Sequence, residues 1–188
     1  TEMEILGATR DDAAGECFDK VARVLGIGYP GGAPMDRLSR TGDAGRYAFP
    51  RVQVHDAPLD MSFSGLKTAA INLIHNARQK EEALDLPSLA ASFSAAVSDM
   101  LVPRVMEAAR RCGRRKVAVA GGVAANSHIR ADLEAACAAA GCCLYLPPLS
   151  LCGDNGAMIG CQAYYEYLAG HTADMALNAY ANRDIAKG

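Results

Sequence analysis

The sequence holds no cysteine pair at C-x-x-C spacing, no H-E-x-x-H segment, and no apolar run near the roughly 20 residues that cross a bilayer. The first absence, with an odd total of seven cysteines, excludes a zinc finger and a disulfide scaffold. Cys17, Cys112, Cys137, Cys142, Cys143, Cys152 and Cys161 then read as small core residues in a reducing compartment. The second absence excludes a zinc protease, since none of His55, His75, His128 and His171 pairs with another at ligand spacing. The third predicts a chain that spans no membrane. Internal repeats, low-complexity tracts and flexible linkers are missing as well. The opening TEMEILGATRDDA lacks a signal-peptide pattern, and Thr1 in place of methionine reads as the start of a processed or truncated piece.

What is present is globular in kind. Of 188 residues, 51% are hydrophobic and 21% charged, which fits one compact domain or two small lobes and excludes disorder. A net charge of −2 argues against a dedicated basic nucleic-acid binder. The charge is uneven, however. Residues 61–120 carry nine basic and five acidic side chains, while both flanking thirds are acidic. Arg110, Arg111, Arg114, Arg115 and Lys116 make most of that excess, as either a solvated helix end or a phosphate-binding patch.

Periodicity places the elements. Thr9 and Asp12 form a capping-box pattern ahead of a helix whose inner face is Ala14, Phe18, Val21, Ala22 and Leu25, stopped at Gly26. After GIGYPGGAP a short helix is expected near Pro34. Residues 42–60 read as connecting structure. Residues 64–80 are helical, with Leu66, Ala69, Ala70, Leu73 and Ile74 inward. Pro87 opens a long helix through Leu89, Phe93, Val97, Leu101 and Met106, which Pro103 is expected to kink or split. KVAVAGG is a short buried strand, and a helix from Asn126 turns Leu133, Ala136 and Cys137 inward. CCLYL is a second strand, PPLSLCG a loop, and 154–168 a closing helix ended by Gly170. Strand, helix, strand, helix at this spacing is a right-handed parallel unit, so the fold class is α/β.

Two short motifs are decoys. Gly26, Gly28 and Gly31 match G-x-G-x-x-G but follow a helix, where the dinucleotide fingerprint needs a strand. Ser64 and Lys67 match S-x-x-K without the companion motifs of penicillin-recognising enzymes. Three helix-opening loops are stronger. VAGGVAAN offers free helical N–H groups to a phosphate or adenylate, with Asn126 as a contact or simply a cap. LSLCGDNGAM puts Asp154 at the mouth of a strand, as a cap or a hard-cation ligand. In DDAAGECFDK, Asp12, Glu16 and Asp19 share a helix face and call for a sugar diol, a cation, Lys20 or plain solvent.

Taken in order, DDAAGECFDKVARVLGIGYPGGAPMDRLS, FSGLKTA, VAGGVAANSHIR and LCGDNGAMIG closely resemble the TsaD family, formerly the glycoprotease or O-sialoglycoprotein endopeptidase family. The resemblance runs from about Glu4 to Arg183. It implies a helix-rich α/β lobe of the two-lobed fold shared by actin, sugar kinases and the heat-shock chaperone ATPase. Residues 1–30 would be the end of the N-terminal lobe and a connecting helix, and 31–188 the C-terminal ATPase-like lobe. The family's first phosphate loop and its metal-binding histidine pair are expected in a segment ahead of Thr1.

Carried over by motif, the resemblance implies that Asp19, Gly32, Asp36 and Asn126 hold the nucleoside of threonylcarbamoyl-adenylate, or ATP or ADP. It makes Asp154 a ligand of one divalent metal, iron or zinc, shared with those histidines. Gly153 stands where the family commonly has threonine, and Pro103 interrupts a helix that is usually unbroken. The implied activity is transfer of threonylcarbamoyl to N6 of the adenosine beside the tRNA anticodon, in the cytoplasm, with tRNA and the bacterial TsaB and TsaE subunits as partners and no membrane. A lone copy of this piece is expected to be inactive and to self-associate. The alternatives are a non-catalytic scaffold paralogue and, on the old family name alone, a metalloprotease.

Overall fold

The computed structural model describes residues 3–179, so 180–188, the last of the resembling stretch and of the proposed second lobe, lie outside the described residues. Among the described residues six α-helices and two strands follow in order: α1 (Ala14–Leu25), α2 (Gly32–Ser39), α3 (Ser64–Gln79), α4 (Leu86–Arg111), β1 (Lys116–Ala118), α5 (Ser127–Ala139), β2 (Cys143–Tyr145) and α6 (Gly156–Leu168). Helix-rich α/β is the observed class.

One core binds α1 to α5. Phe93 of α4 lies at its centre, meeting Phe18 edge-on at 5.2 Å and Phe49 edge-on at 5.8 Å. Cys17, Val21, Met35, Leu66, Ile74, Leu89, Val97, Met100, Ile129 and Leu133 complete it. On α4 the next buried apolar residue after Val97 is Met100, and the expected Leu101 and Met106 are only half-buried. The helix is long and apolar enough to cross a bilayer by length and composition, against the sequence reading, yet most of its apolar stretch is buried in this core.

Pro103 does not split α4, which continues unbroken to Arg111. The proline leaves the Asp99 carbonyl without its helical donor, and Asp99 is exposed, so water can take that role. Asp85 caps α4 by accepting from Ser88 N–H at 3.2 Å, with Pro87 in the first turn. Loop 42–47 lies against this helix so tightly that a Cβ on Gly42 would sit 2.1 Å from the Pro87 carbonyl oxygen. Buried serines face it: Asp43 N–H donates to Ser88 Oγ at 3.0 Å, and Tyr47 N–H donates to Ser92 Oγ at 3.2 Å.

The two strands pair in parallel, Val117 opposite Leu144. Only Val117 is buried, so the first strand is less enclosed than expected, and β2, against which α5 packs, has no fully buried residue. The last helix departs further. α6 contains no buried residue, and Met158, Ile159, Tyr164, Tyr165, Tyr167 and Leu168 are all exposed. A helix apolar around its circumference belongs to an interior.

The capping box expected at Thr9 and Asp12 does not form. α1 begins at Ala14 with no side-chain cap, and Thr9 Oγ1 donates to the Asp12 carbonyl instead. Neighbouring Asp11 caps a different helix. Its carboxylate accepts from Phe63 N–H at 2.8 Å, Ser64 N–H at 3.1 Å, Ser64 Oγ at 2.7 Å and Ser62 Oγ at 2.5 Å, at the start of α3. Although burial pushes its pKa up, those four donors hold it down at about 2.

Candidate functional site

Helices α1 and α2 and the segment 122–125 that enters α5 meet at one place. Gly26, at φ +79°, stops α1 and lets the chain turn back, as its sequence suggested. The following turn brings Gly31 against α1, where a Cβ would lie 2.2 Å from Ala22 Cβ and 3.1 Å from Asp19 Cα. Gly31 N–H donates to Asp19 Oδ1 at 2.6 Å, so Asp19 fixes the entry to α2. Beside Gly32, by contrast, the space a Cβ would occupy is open. Packing thus requires glycine at position 31, whereas position 32 faces open space.

Asp36, on the second turn of α2, is 7% exposed. Its Oδ1 accepts from Ser127 N–H at 2.6 Å and Ser127 Oγ at 2.7 Å, and its Oδ2 accepts from Arg40 at 2.8 Å. Burial would raise its pKa; Ser127 and Arg40 outweigh burial and keep it below the ordinary carboxylate value. Ser127 opens α5, so Asp36 ties α2 directly to the neighbour of Asn126.

Asn126 is also 7% exposed and caps α5, its Oδ1 accepting from His128 N–H and Ile129 N–H at 3.1 Å each. That settles the cap geometry and corrects one expectation. The first N–H groups of α5 are not free for a phosphate, since Ser127 serves Asp36, and His128 and Ile129 serve Asn126. Amides without a described acceptor lie just before, at Gly121, Gly122 and Val123, where φ of +92° at Gly121 requires glycine. Gly15 of α1 abuts Val123 there, its Cβ position 3.4 Å from Val123 Cγ2.

The acidic trio divides. Lys20 pairs with Asp12 at 2.8 Å and Glu16 at 2.7 Å, and Lys67 reaches Asp12 at 2.5 Å. Both lysines depress the Asp12 pKa, and Lys67 is thereby engaged away from any serine-activating role. Asp19 stands apart on Gly31. The basic run is likewise spoken for in part: Arg110 and Arg111 both hold Glu107 at 2.7 Å. The cysteines are all free thiols, but only Cys17, Cys137 and Cys152 are buried, which corrects their reading as a set of core residues.

Asp154 is not the cap of α6. Asn155 is, accepting from Met158 N–H at 3.0 Å, and the helix starts at Gly156. The Asp154 carboxylate is exposed and has no hydrogen-bond or ion-pair partner among the described residues. The loop leading to it is anchored to α5. Arg130 Nη1 donates to Ala124 O at 2.8 Å and lies 3.8 Å from Cys152 Sγ, while its Nη2 donates to Pro147 O at 3.0 Å. Among the described residues no group of three His, Cys, Asp or Glu side chains could hold a metal. Asp154 therefore fits one ligand position, a hard oxygen donor without competing partners, and no more than one.

Asp19 is thus bonded to Gly31, the neighbour of Gly32, and Asp36 to Ser127, the neighbour of Asn126, while among the described residues Asp154 connects to α5 through its loop and Arg130. Arg130 and Ser127 were missed, and Lys67 was read only as part of the S-x-x-K match, without its pairing to Asp12. The spacing of four from Asn126 to Arg130 in VAANSHIR, one helix face, was the available signal.

The family described as TsaD, tRNA N6-adenosine threonylcarbamoyltransferase, matches residues 1–161. The chain belongs to the TsaD family. Over 179 residues it is 51% identical to the tRNA N6-adenosine threonylcarbamoyltransferase of Moorella thermoacetica, covering 95% of this chain and 52% of that one. The protein of the same description from Clostridium botulinum strain 657 is 47% identical over 186 residues, 99% of this chain and 55% of its own. That of Staphylococcus saprophyticus is 48% identical over 183 residues, 97% and 53%. The chain spans about half the length of the curated relatives it matches. As a TsaD-family chain with a helix-rich α/β core, it fits one lobe of the actin, sugar-kinase and chaperone-ATPase architecture.

Proposed function

We propose that this chain is the C-terminal portion of an enzyme that transfers threonylcarbamoyl from threonylcarbamoyl-adenylate to N6 of the adenosine beside the tRNA anticodon. The observation that supports it most is the Asp36–Ser127 contact, which sets the open start of α2 at Gly32 next to the start of α5 at Asn126. Residues 31–188 are the C-terminal lobe in this reading, and 1–30 the entry from the other lobe, with α1 as the connecting helix docked on the core.

The roles follow from what each group still has to offer. Gly32 admits the nucleoside to the α2 start, where the N–H groups of Gly32 and Ala33 have no described acceptor. Asp19 keeps one carboxylate oxygen for ribose hydroxyls, its other being held by Gly31. Asn126 uses its side-chain oxygen in the cap and its backbone N–H on Val123 O, leaving its side-chain NH2 for the ligand. Asp36 acts by fixing the two helix starts and borders the same space. Catalysis on this side is mainly positioning of the acyl donor. Asp154 would supply one carboxylate to a divalent iron or zinc ion, the other ligands coming from outside this chain. When bound, such an ion supplies Lewis-acid polarisation of the donor or its leaving phosphate.

The proposed partners are tRNA, with Arg114, Arg115 and Lys116 toward its backbone, and TsaB- and TsaE-type subunits, in the cytoplasm. Alone, the chain is inactive and self-associates through the uncovered α6. The test is threonylcarbamoyl transfer by the full-length protein, with bound metal measured in parallel. Asp154→Ala should abolish transfer and lose the metal. Asn126→Ala should weaken adenylate binding about tenfold with metal retained. Unchanged metal content in Asp154→Ala would defeat the assignment.

A further inference from the structure

We propose that Arg130 is a positioning residue that sets the distance between the adenylate side of the site and the Asp154 side; this rests on the reading of Asp154 as a metal ligand. Two connections lead from the ends of the parallel strands to the following helices, one ending in Asn126 and the other in Asp154. Arg130 holds both. Its Nη1 donates to Ala124 O at 2.8 Å in the first connection, and its Nη2 donates to Pro147 O at 3.0 Å in the second. Nη1 also lies 3.8 Å from Cys152 Sγ, and Cys152 is buried, so the second connection is seated as well as tethered.

The chemistry suits the task. A guanidinium presents several N–H donors in one rigid plane and can hold two carbonyls at a fixed separation, whereas an ammonium is a single point on a flexible stem. Arg130 follows Asn126 by one helical turn, so α5 sets where the fork stands. From Cys152 only Gly153 intervenes before Asp154, so a shift of the tether passes almost directly to that carboxylate. No other described side chain joins 147–152 to α5 by a hydrogen bond.

The test uses the full-length protein carrying Arg130→Lys, with metal affinity and adenylate affinity measured separately. Residues that orient a metal ligand typically change affinity about 10- to 100-fold when replaced. Metal affinity should therefore fall about tenfold or more, and the transfer rate with it, while the adenylate Kd stays within about twofold. Hydrogen exchange should quicken across 147–154 and not across α1 to α3. Metal affinity within twofold of the parent, in a folded variant, overturns the proposal. If Asp154→Ala itself retains metal, the underlying reading fails and this one with it. Metal lost in Asp154→Ala but kept in Arg130→Lys overturns this proposal alone. Should neither Arg130→Lys nor Arg130→Gln fold, the crystal structure of the parent protein decides, and Arg130 turned away from either carbonyl refutes it.

Discussion

Replacing Asp36 with asparagine should destabilise the protein even with no nucleotide present. The carboxylate is 7% exposed, and its two bonds from Ser127, at 2.6 and 2.7 Å, are charge-assisted. Hydrogen bonds to charged groups contribute roughly 1.5–3 kcal/mol, against about 0.5–1.5 for neutral pairs, so neutralising the acceptor forfeits about 1 kcal/mol per bond. The bond to Arg40 adds only a few tenths, because that guanidinium is largely solvated. The expected loss is about 2 kcal/mol, a drop in Tm of about 4–8 °C for a chain of this size. The pH dependence is equally specific. The carboxyl pKa is lowered by folding, so its stabilisation is complete above the unfolded value of 3.8 and is lost as pH falls through the lower folded value. The gap between parent and Asp36→Asn should hold steady above about pH 5 and close in more acidic buffer. Thermal unfolding followed by circular dichroism, repeated in a Ser127→Ala background, measures both. A gap below 1 °C at neutral pH, or one unchanged at pH 2.5, would refute the argument that the ionised side chain braces the helices. So would strict additivity with Ser127→Ala.

Two further substitutions separate packing from ligand space. Gly31→Ala should cost about 3 kcal/mol or more, since its methyl would overlap Ala22 and backbone of α1, whereas Gly32→Ala should leave Tm within 1 °C and weaken adenylate binding. Equal melting temperatures for the two variants would contradict the geometry. Asp11→Ala should lower stability by about 1–2 kcal/mol through loss of the α3 cap. With a folded pKa of about 2 against 3.8, that contribution persists at pH 5 and fades between about pH 4 and pH 2, as urea titrations at several pH values would show.

Most of the fold could be read from local pattern. The 3.6 period marked α1 and α3, Pro87 marked the start of α4, and Gly26 marked the end of α1, while the Asp85 cap on α4 was not read from the sequence. Readings failed where a distant partner outbid a local one. Thr9 and Asp12 carry a capping signature, but Lys20 and Lys67 draw the Asp12 side chain away, and Asp11 serves a helix that begins 53 residues later. The site shows the same division. The clustering of Asp19, Gly32, Asp36 and Asn126 was implied by motif resemblance, not by spacing. Asn126 takes the His128 and Ile129 amides locally, but that the Ser127 amide is also occupied depends on Asp36 arriving from across the chain. Arg130 lay in a quoted motif, yet its work is on two carbonyls, which no side-chain pattern records.

The brace between α2 and α5 spans 91 positions of sequence. Closing a loop of that size costs about 4 kcal/mol of chain entropy before any contact rewards it. During synthesis the ribosome would release α1, α2, α3 and α4 before Ser127 emerges, so for that interval water rather than Ser127 serves the Asp36 carboxylate. The junction of α2 with α5 is then among the last parts to lock, and a nascent chain halted before α5 would present an acidic, half-built surface to chaperones.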